Sequence, residues 1–188
     1  VSRLTEGRLA ELYAGTLRLV VERGFDKLTM DQIAEATRSS KATLYRQWGG
    51  KTGLVVEALK CTAGHPEELP DTGSLRGDLL ASLADAPGGD EAEAEMVTAI
   101  MHAMKQDPEL AEAVRTQIID PGRERIGTML KRAVDRGEIA PHCPALAFAD
   151  LLFMAPFVLS PVLGESTPDS AYITAYYEAV VLPALGIH

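Results

Sequence analysis

The stretch TMDQIAEATRSSKATLYRQW, residues 29–48, decides how this chain is read. Met30, Ile33 and Ala34 recur at the spacing of one helix face, and Ala42 with the pair Leu44 and Tyr45 does similar work further on. Two short helices joined by a tight turn follow from that spacing, with Lys41, Thr43, Arg46 and Gln47 left to face outward from the second. Cations, a hydroxyl and an amide gathered on one surface suit phosphate oxygens and base edges. The stretch therefore points to a nucleic-acid reader.

Ahead of it, Leu9, Leu12, Tyr13, Thr16, Leu17 and Val20 line the inner side of a first helix from about Thr5 to Arg23, which Gly24 stops. Thr29 is placed to cap the second helix, and Ser39 or Ser40 the third, because a hydroxyl there accepts from the free amides of the first turn. Lys51 opens a fourth, connecting helix with Leu54, Val55, Ala58 and Leu59 on one side. A loop rich in Pro, Gly and acids, Gly64 to Gly73, then separates two parts. Beyond it, Ser74 caps a helix carrying Leu75, Leu79, Leu80 and Leu83, and Pro87-Gly88-Gly89 breaks the chain before a helix bearing Met96, Val97, Ile100, Met101 and Met104. Leu110, Val114 and Ile118 share the next helix. Ile126, Met129, Leu130, Ala133 and Val134 share another, with Pro121-Gly122 as a joint between the two and Gly137 as the stop. Residues 144–159 are apolar almost all round, and Thr167-Pro168 announces a last helix with Tyr172, Ile173, Tyr176, Val180 and Val181. No strand pattern or repeat is read. The expected fold is all-α: a three-helix helix-turn-helix domain over residues 1–60, with the motif at about 29–48, and a larger helical domain over residues 74–188.

A chain of 188 residues with 46% hydrophobic content can bury a core. Its net charge of −9 argues against nucleic acid only if spread evenly. Residues 1–60 hold 10 Lys and Arg against 7 Asp and Glu, whereas the remainder holds 8 against 20. The acidity belongs to the second part, where it favours solubility and discourages that end from docking on phosphate. Cys61 and Cys143 stand apart and the four His, at 65, 102, 142 and 188, are scattered, so neither a metal site nor a cofactor is expected. The two lone cysteines fit a reducing cytoplasm, no signal pattern is read at the start, and the longest apolar run is cut by Asp150, Pro156 and Pro161. A soluble cytoplasmic protein is expected, with no membrane partner.

Gly24-Phe25 after the first helix, Thr29 opening the second, Ile33-Ala34 within it, and Ser40-Lys41-Ala42-Thr43-Leu44-Tyr45-Arg46 followed by Trp48 and Lys51 together resemble the helix-turn-helix of the tetracycline-repressor (TetR) family of transcriptional regulators. The resemblance covers about the first 60 residues. It has three departures: Arg38 where the family usually has a turn Gly, Ser39 where it has a small apolar residue, and Trp48 as a larger closing aromatic. A non-Gly residue in a tight turn must accept a left-handed backbone or avoid it. Arg38 is then an additional phosphate candidate.

The resemblance implies a double-stranded DNA operator as partner, read by the third helix in the major groove. Thr29, Tyr45 and Lys51 are expected to hold phosphates, with Ser40 at the start of the reading helix. Arg46 and Gln47 are candidates for base edges, while Lys41 and Thr43 stay open between phosphate and base. Leu44 and Trp48 are mainly packing residues. The family also implies a homodimer, for which residues 144–159 and 169–185 are the candidate interface, and a small-molecule effector held in the second part. Met96, Met101, His102, Met104, Met129, Phe148, Phe153 and Phe157 are the candidate effector lining, chosen because Met adapts to irregular ligands and aromatics stack on flat ones. Repression, with release by the effector, is the function so implied. The competing readings are a helical ligand-binding or interaction module without DNA binding, and an enzyme; against the latter, the sequence offers no triad context and no phosphate-cradling glycine loop.

Overall fold

A computed structural model describes residues 5–63, 68–83, 91–163, 165–166 and 168–188. The first part of the Gly64 to Gly73 loop with His65, the Pro87-Gly88-Gly89 break and Thr167 lie outside the described residues. The described chain is all-helical. Its elements are α1 (Glu6–Arg23), α2 (Met30–Ala36), α3 (Lys41–Trp48), α4 (Lys51–Ala63), α5 (Leu75–Leu83), α6 (Glu91–Gln106), α7 (Pro108–Val114), α8 (Asp120–Asp135), α9 (Ala149–Val162), α10 (Ser170–Tyr176) and α11 (Leu182–Ala184). Wider π-helical turns span Arg115–Ile119 and Tyr177–Val181, and a 3-10 turn spans Pro144–Phe148. Pro121, expected at a joint, is the second residue of α8, just past the first π turn, the kind of insertion that accommodates an i→i−4 ladder a Pro cannot complete.

Two compact units divide these elements: residues 1–63 with 95–119, and residues 64–94 with 120–188. In the first, α1 and α4 contribute Leu12, Leu17, Val20, Leu54, Val55 and Ala58 to one core, which also takes Ile33, Leu44, Ile100, Ala103, Leu110 and Val114. Burial of each Leu or Ile contributes about 1.5–3 kcal/mol, so this core holds the two short helices that propensity alone would leave marginal. Gly24 ends α1 at φ 80°, a conformation that favours Gly, and its N–H bonds to the Val20 carbonyl at 3.0 Å. Gly53 is required for a different reason: a Cβ there would lie 2.2 Å from the Trp48 carbonyl oxygen.

In the second unit, Leu75, Leu79, Met129, Leu130, Ala133, Phe153, Ile173, Tyr177 and Val181 form the core. Ser74 caps α5, its hydroxyl accepting from the Gly77 N–H at 3.1 Å. Asp78 is fully buried on α5 and is satisfied there: Thr72 donates its N–H at 2.6 Å and its hydroxyl at 2.8 Å, and the Arg136 guanidinium lies at 3.4 Å. Arg136 also meets Glu138 at 2.5 Å, and Glu138 accepts from the Leu75 N–H at 2.8 Å, so one polar network ties α5 to the end of α8. Phe153 packs edge-on against Tyr177 with centroids 5.7 Å apart. Burial pushes the Tyr177 phenol up to about 12.

Among the described residues no helix is long and apolar enough to cross a membrane, and no group of three or more His, Cys, Asp or Glu is placed to hold a metal ion. Cys61 and Cys143 are free thiols.

Candidate nucleic-acid interface

The interface begins at the turn between α2 and α3. Thr29 is extended, its hydroxyl accepts from the Gln32 N–H at 3.3 Å, and its own N–H donates to Gln32 Oε1 at 2.9 Å. This is a reciprocal capping box, legible in sequence as Thr-x-x-Gln, and it leaves the exposed Thr29 hydroxyl hydrogen directed elsewhere. Arg38 accepts the left-handed backbone, with φ 49°, the one positive φ at a non-Gly residue among those described. Thr37, Arg38 and Ser39 return their N–H groups to the carbonyls of Ile33, Glu35 and Ala34 at 2.9, 3.2 and 2.9 Å, which closes the end of α2 without a glycine.

A second clamp on this turn comes from α1. The Arg8 guanidinium donates to the Thr37 carbonyl and, at 3.3 Å, to the Arg38 carbonyl. Thr37 is buried, its hydroxyl donating to the Ile33 carbonyl at 2.7 Å, and its methyl would meet a Cβ at Gly15 at 3.3 Å. The turn is therefore pressed against α1 and held there by a cation. Arg8 went unsingled by sequence reasoning, since no local signal marks a side chain that reaches 29 residues ahead.

Ser40 caps α3, its hydroxyl accepting from the Thr43 N–H at 3.1 Å and lying 2.8 Å from the Thr43 hydroxyl. Of the two serines the sequence left open, Ser40 is the cap, while Ser39 donates to the Thr37 carbonyl at 3.3 Å. Leu44 is the buried anchor of α3, and Trp48 packs edge-on against Tyr13 at 6.0 Å with its indole N–H 3.4 Å from the Tyr13 phenol oxygen. Ala42 does not pack as its spacing suggested. It is exposed, and Tyr45 is 46% exposed, so both belong to the outer face with Lys41, Arg46 and Gln47. A small Ala loses little by facing water, which is why apolar spacing misplaced it.

The cations divide by what holds them. Arg38 and Arg46, like the neutral Gln47 beside them, are exposed and make no hydrogen bond or ion pair through their side chains with other described residues. Lys41 meets the Asp31 carboxylate at 2.8 Å across the turn, and that hydrogen bond raises the ammonium pKa above its ordinary value. Lys51 is half-buried, donates to the Phe25 carbonyl at 2.5 Å and stands 4.1 Å from the Phe25 ring centroid. Its ammonium is thus turned onto the α1–α2 connection. Thr43 is half-buried and engaged with Ser40.

The effector candidates do not converge. In the first unit Met96 and Met104 pack partly buried against the core, Met101 is half-buried, and His102 is exposed with its Nε2 2.7 Å from Gln106 Nε2. In the second, Met129 and Phe153 are buried in the core, whereas Phe148 and Phe157 are 57% and 38% exposed. His102 lines a cavity of about 430 Å³ in the first unit. A second cavity, of about 400 Å³, lies between α8 and the start of α9 under an Arg123–Asp150 pair at 2.6 Å, and none of the eight residues lines it. A further set of exposed side chains, Leu151, Met154, Val158 and Leu159 on α9 with Tyr172 and Val180 on the last helical stretch, joins Phe148 and Phe157 as apolar surface of the second unit.

Comparison with known proteins agrees with this layout. Residues 12–58 match the model of bacterial regulatory proteins of the tetR family, and residues 69–180 match that of the tetracyclin repressor-like C-terminal domain. An uncharacterized HTH-type transcriptional regulator of Mycobacterium bovis is 34% identical over 95% of this chain and 88% of its own. A DNA-binding transcriptional repressor, TetR, of Mycobacteroides abscessus is 36% identical over 71% of each chain. The crystal structure of the TetR family transcription regulator SCO0332 superposes with a TM-score of 0.59 and 26% identity over 97% of this chain and 100% of that one. With the capped helix-turn-helix, the all-helical second unit and both family models in register, the chain belongs to the TetR family of transcriptional regulators.

Proposed function

We propose that the protein is a repressor that binds a pseudo-palindromic operator as a homodimer and is released by a small-molecule effector. The observation that carries the reading is the outer face of α3, where Tyr45, Arg46 and Gln47 are exposed on a helix anchored by Leu44 and capped by Ser40. Arg46 suits guanine and Gln47 adenine in the major groove, while Thr29, Ser40, Thr43, Tyr45 and the two lysines suit phosphates. Lys51 reaches a phosphate by leaving the Phe25 carbonyl, and Lys41 by leaving Asp31.

One α3 covers few base pairs. Two, spaced by about one helical turn of DNA, supply the contacts that a specific site needs. The exposed apolar face of α9 and of the last helical stretch supports a two-fold interface, since a monomer would leave Leu151, Met154, Phe157, Val158, Leu159, Tyr172 and Val180 in water. An effector acts by favouring a conformation in which α4 swings and the two reading helices no longer match successive grooves. The cytoplasm is the proposed place of action.

Retardation of the protein's own upstream DNA, repeated at rising salt, tests the reading. Specific, salt-sensitive binding by a species that sediments as a dimer is expected. A monomer at micromolar concentration, or retardation no stronger than that of random DNA, overturns it.

A further inference from the structure

The cavity of about 430 Å³ in the first unit has a floor and a rim of opposite character. Val20, Phe25 and Ala103, all buried, supply an apolar floor between the end of α1 and α6. At the rim stand the carboxylates of Asp26 and Asp107 and the hydrogen-bonded pair His102 and Gln106. No Lys or Arg lines the cavity, and neither carboxylate forms an ion pair with another described residue; one Asp107 oxygen accepts from the Leu110 N–H at 3.0 Å. The volume is that of a small-molecule site, and its formal charge is uniformly negative.

We infer that this cavity binds a small amphipathic cation, its ring or short chain over Val20, Phe25 and Ala103 and its primary or secondary ammonium directed to Asp26 and Asp107. An ammonium donates charge-assisted hydrogen bonds to carboxylates, and the Gln106 amide supplies a further acceptor. The site deepens the regulatory reading, and rests on it only in naming this ligand as an effector. Phe25 makes the connection: it lines the cavity, and its carbonyl and ring hold the Lys51 ammonium at 2.5 and 4.1 Å. A ligand packed on Phe25 keeps that residue in place and so withholds Lys51 from phosphate.

The test titrates the full chain, without DNA, with 4-phenylbutylamine and with 4-phenylbutan-1-ol, which share a body and differ in the charged head. The amine is expected to bind about tenfold more tightly at neutral pH, and the Asp26→Asn, Asp107→Asn double variant to bring the two to equal affinity. Asn keeps the capping role at position 107, so this variant retains the start of α7. Equal affinities in the unaltered protein, binding of neither probe up to millimolar concentration, or a preference that survives the double variant would overturn the site. Saturating amine is further expected to weaken operator binding about tenfold, and unchanged operator affinity would remove the effector role. Because binding is read without DNA, a chain that takes the amine and ignores DNA defeats the regulatory reading alone. One that retards DNA and ignores the amine defeats the site alone.

Discussion

Replacing Arg38 by Gly separates the two roles this residue carries. Its φ of 49° places an L-residue where contact between Cβ and the following carbonyl costs about 1–2 kcal/mol. Gly removes that cost but adds about 0.4–1 kcal/mol of freedom to the unfolded chain, which leaves a net gain of about 0.5–1 kcal/mol. For a chain of this size the gain raises Tm by about 2 °C. The hydrogen bonds of the turn are unaffected, because Arg8 and the amides of residues 37–39 all engage backbone groups. Arg38→Ala keeps the steric cost and stays near the original stability. Both variants lose the same guanidinium, so both should lower the slope of log K against log salt by about 0.9 if it meets a phosphate. Urea unfolding and salt-dependent retardation of the two variants give both readings from one pair of proteins. Arg38→Gly no more stable than Arg38→Ala would refute the argument from backbone strain, whatever happens to DNA binding.

Ser40→Ala should cost about 1 kcal/mol by removing the cap of α3, and Ser40→Gly only a few tenths, as measured by urea denaturation. Asp78→Ala leaves Thr72 and Arg136 facing a buried vacancy and should destabilise by about 2–3 kcal/mol in the same assay. Tyr177 keeps its proton to about 12 when folded and to about 10 when unfolded, so the stability it contributes is complete below pH 10 and is lost as pH rises toward 12. The stability lost by pH 11 through this one group is about 1.4 kcal/mol, and melts of Tyr177→Phe should show a correspondingly shallower alkaline decline.

The first four helices were legible because their signals are local. Gly24, Thr29 and Ser40 act on amides within one turn, and Leu12, Ile33, Leu44 and Leu54 recur at helical spacing, so pattern and cap agreed with the structure to within a residue or two. What the sequence hid is tertiary. Periodicity puts Ile100 on an apolar helix face but does not tell that it joins the core of α1 and α4, and nothing near Arg8 tells that it grips the reading turn. Lys41 and Lys51 read in sequence as cations available to DNA, whereas Asp31 and the Phe25 carbonyl that hold them are visible only in space. The effector candidates were chosen by side-chain type, which reports polarizability and shape but not convergence. Hence Met129 and Phe153 proved to be core while His102 lines a cavity beside α1.

The central claim is that α3 reads sequence. It is tested most directly by selecting an operator from random DNA and measuring the ratio of operator to random affinity for Arg46→Ala, Gln47→Ala and Tyr45→Ala at fixed salt. The account predicts that Arg46→Ala or Gln47→Ala lowers the ratio by about 5- to 150-fold, the equivalent of 1–3 kcal/mol at one base pair, while Tyr45→Ala weakens both affinities and leaves the ratio intact. Equal loss on operator and random DNA for all three would contradict it.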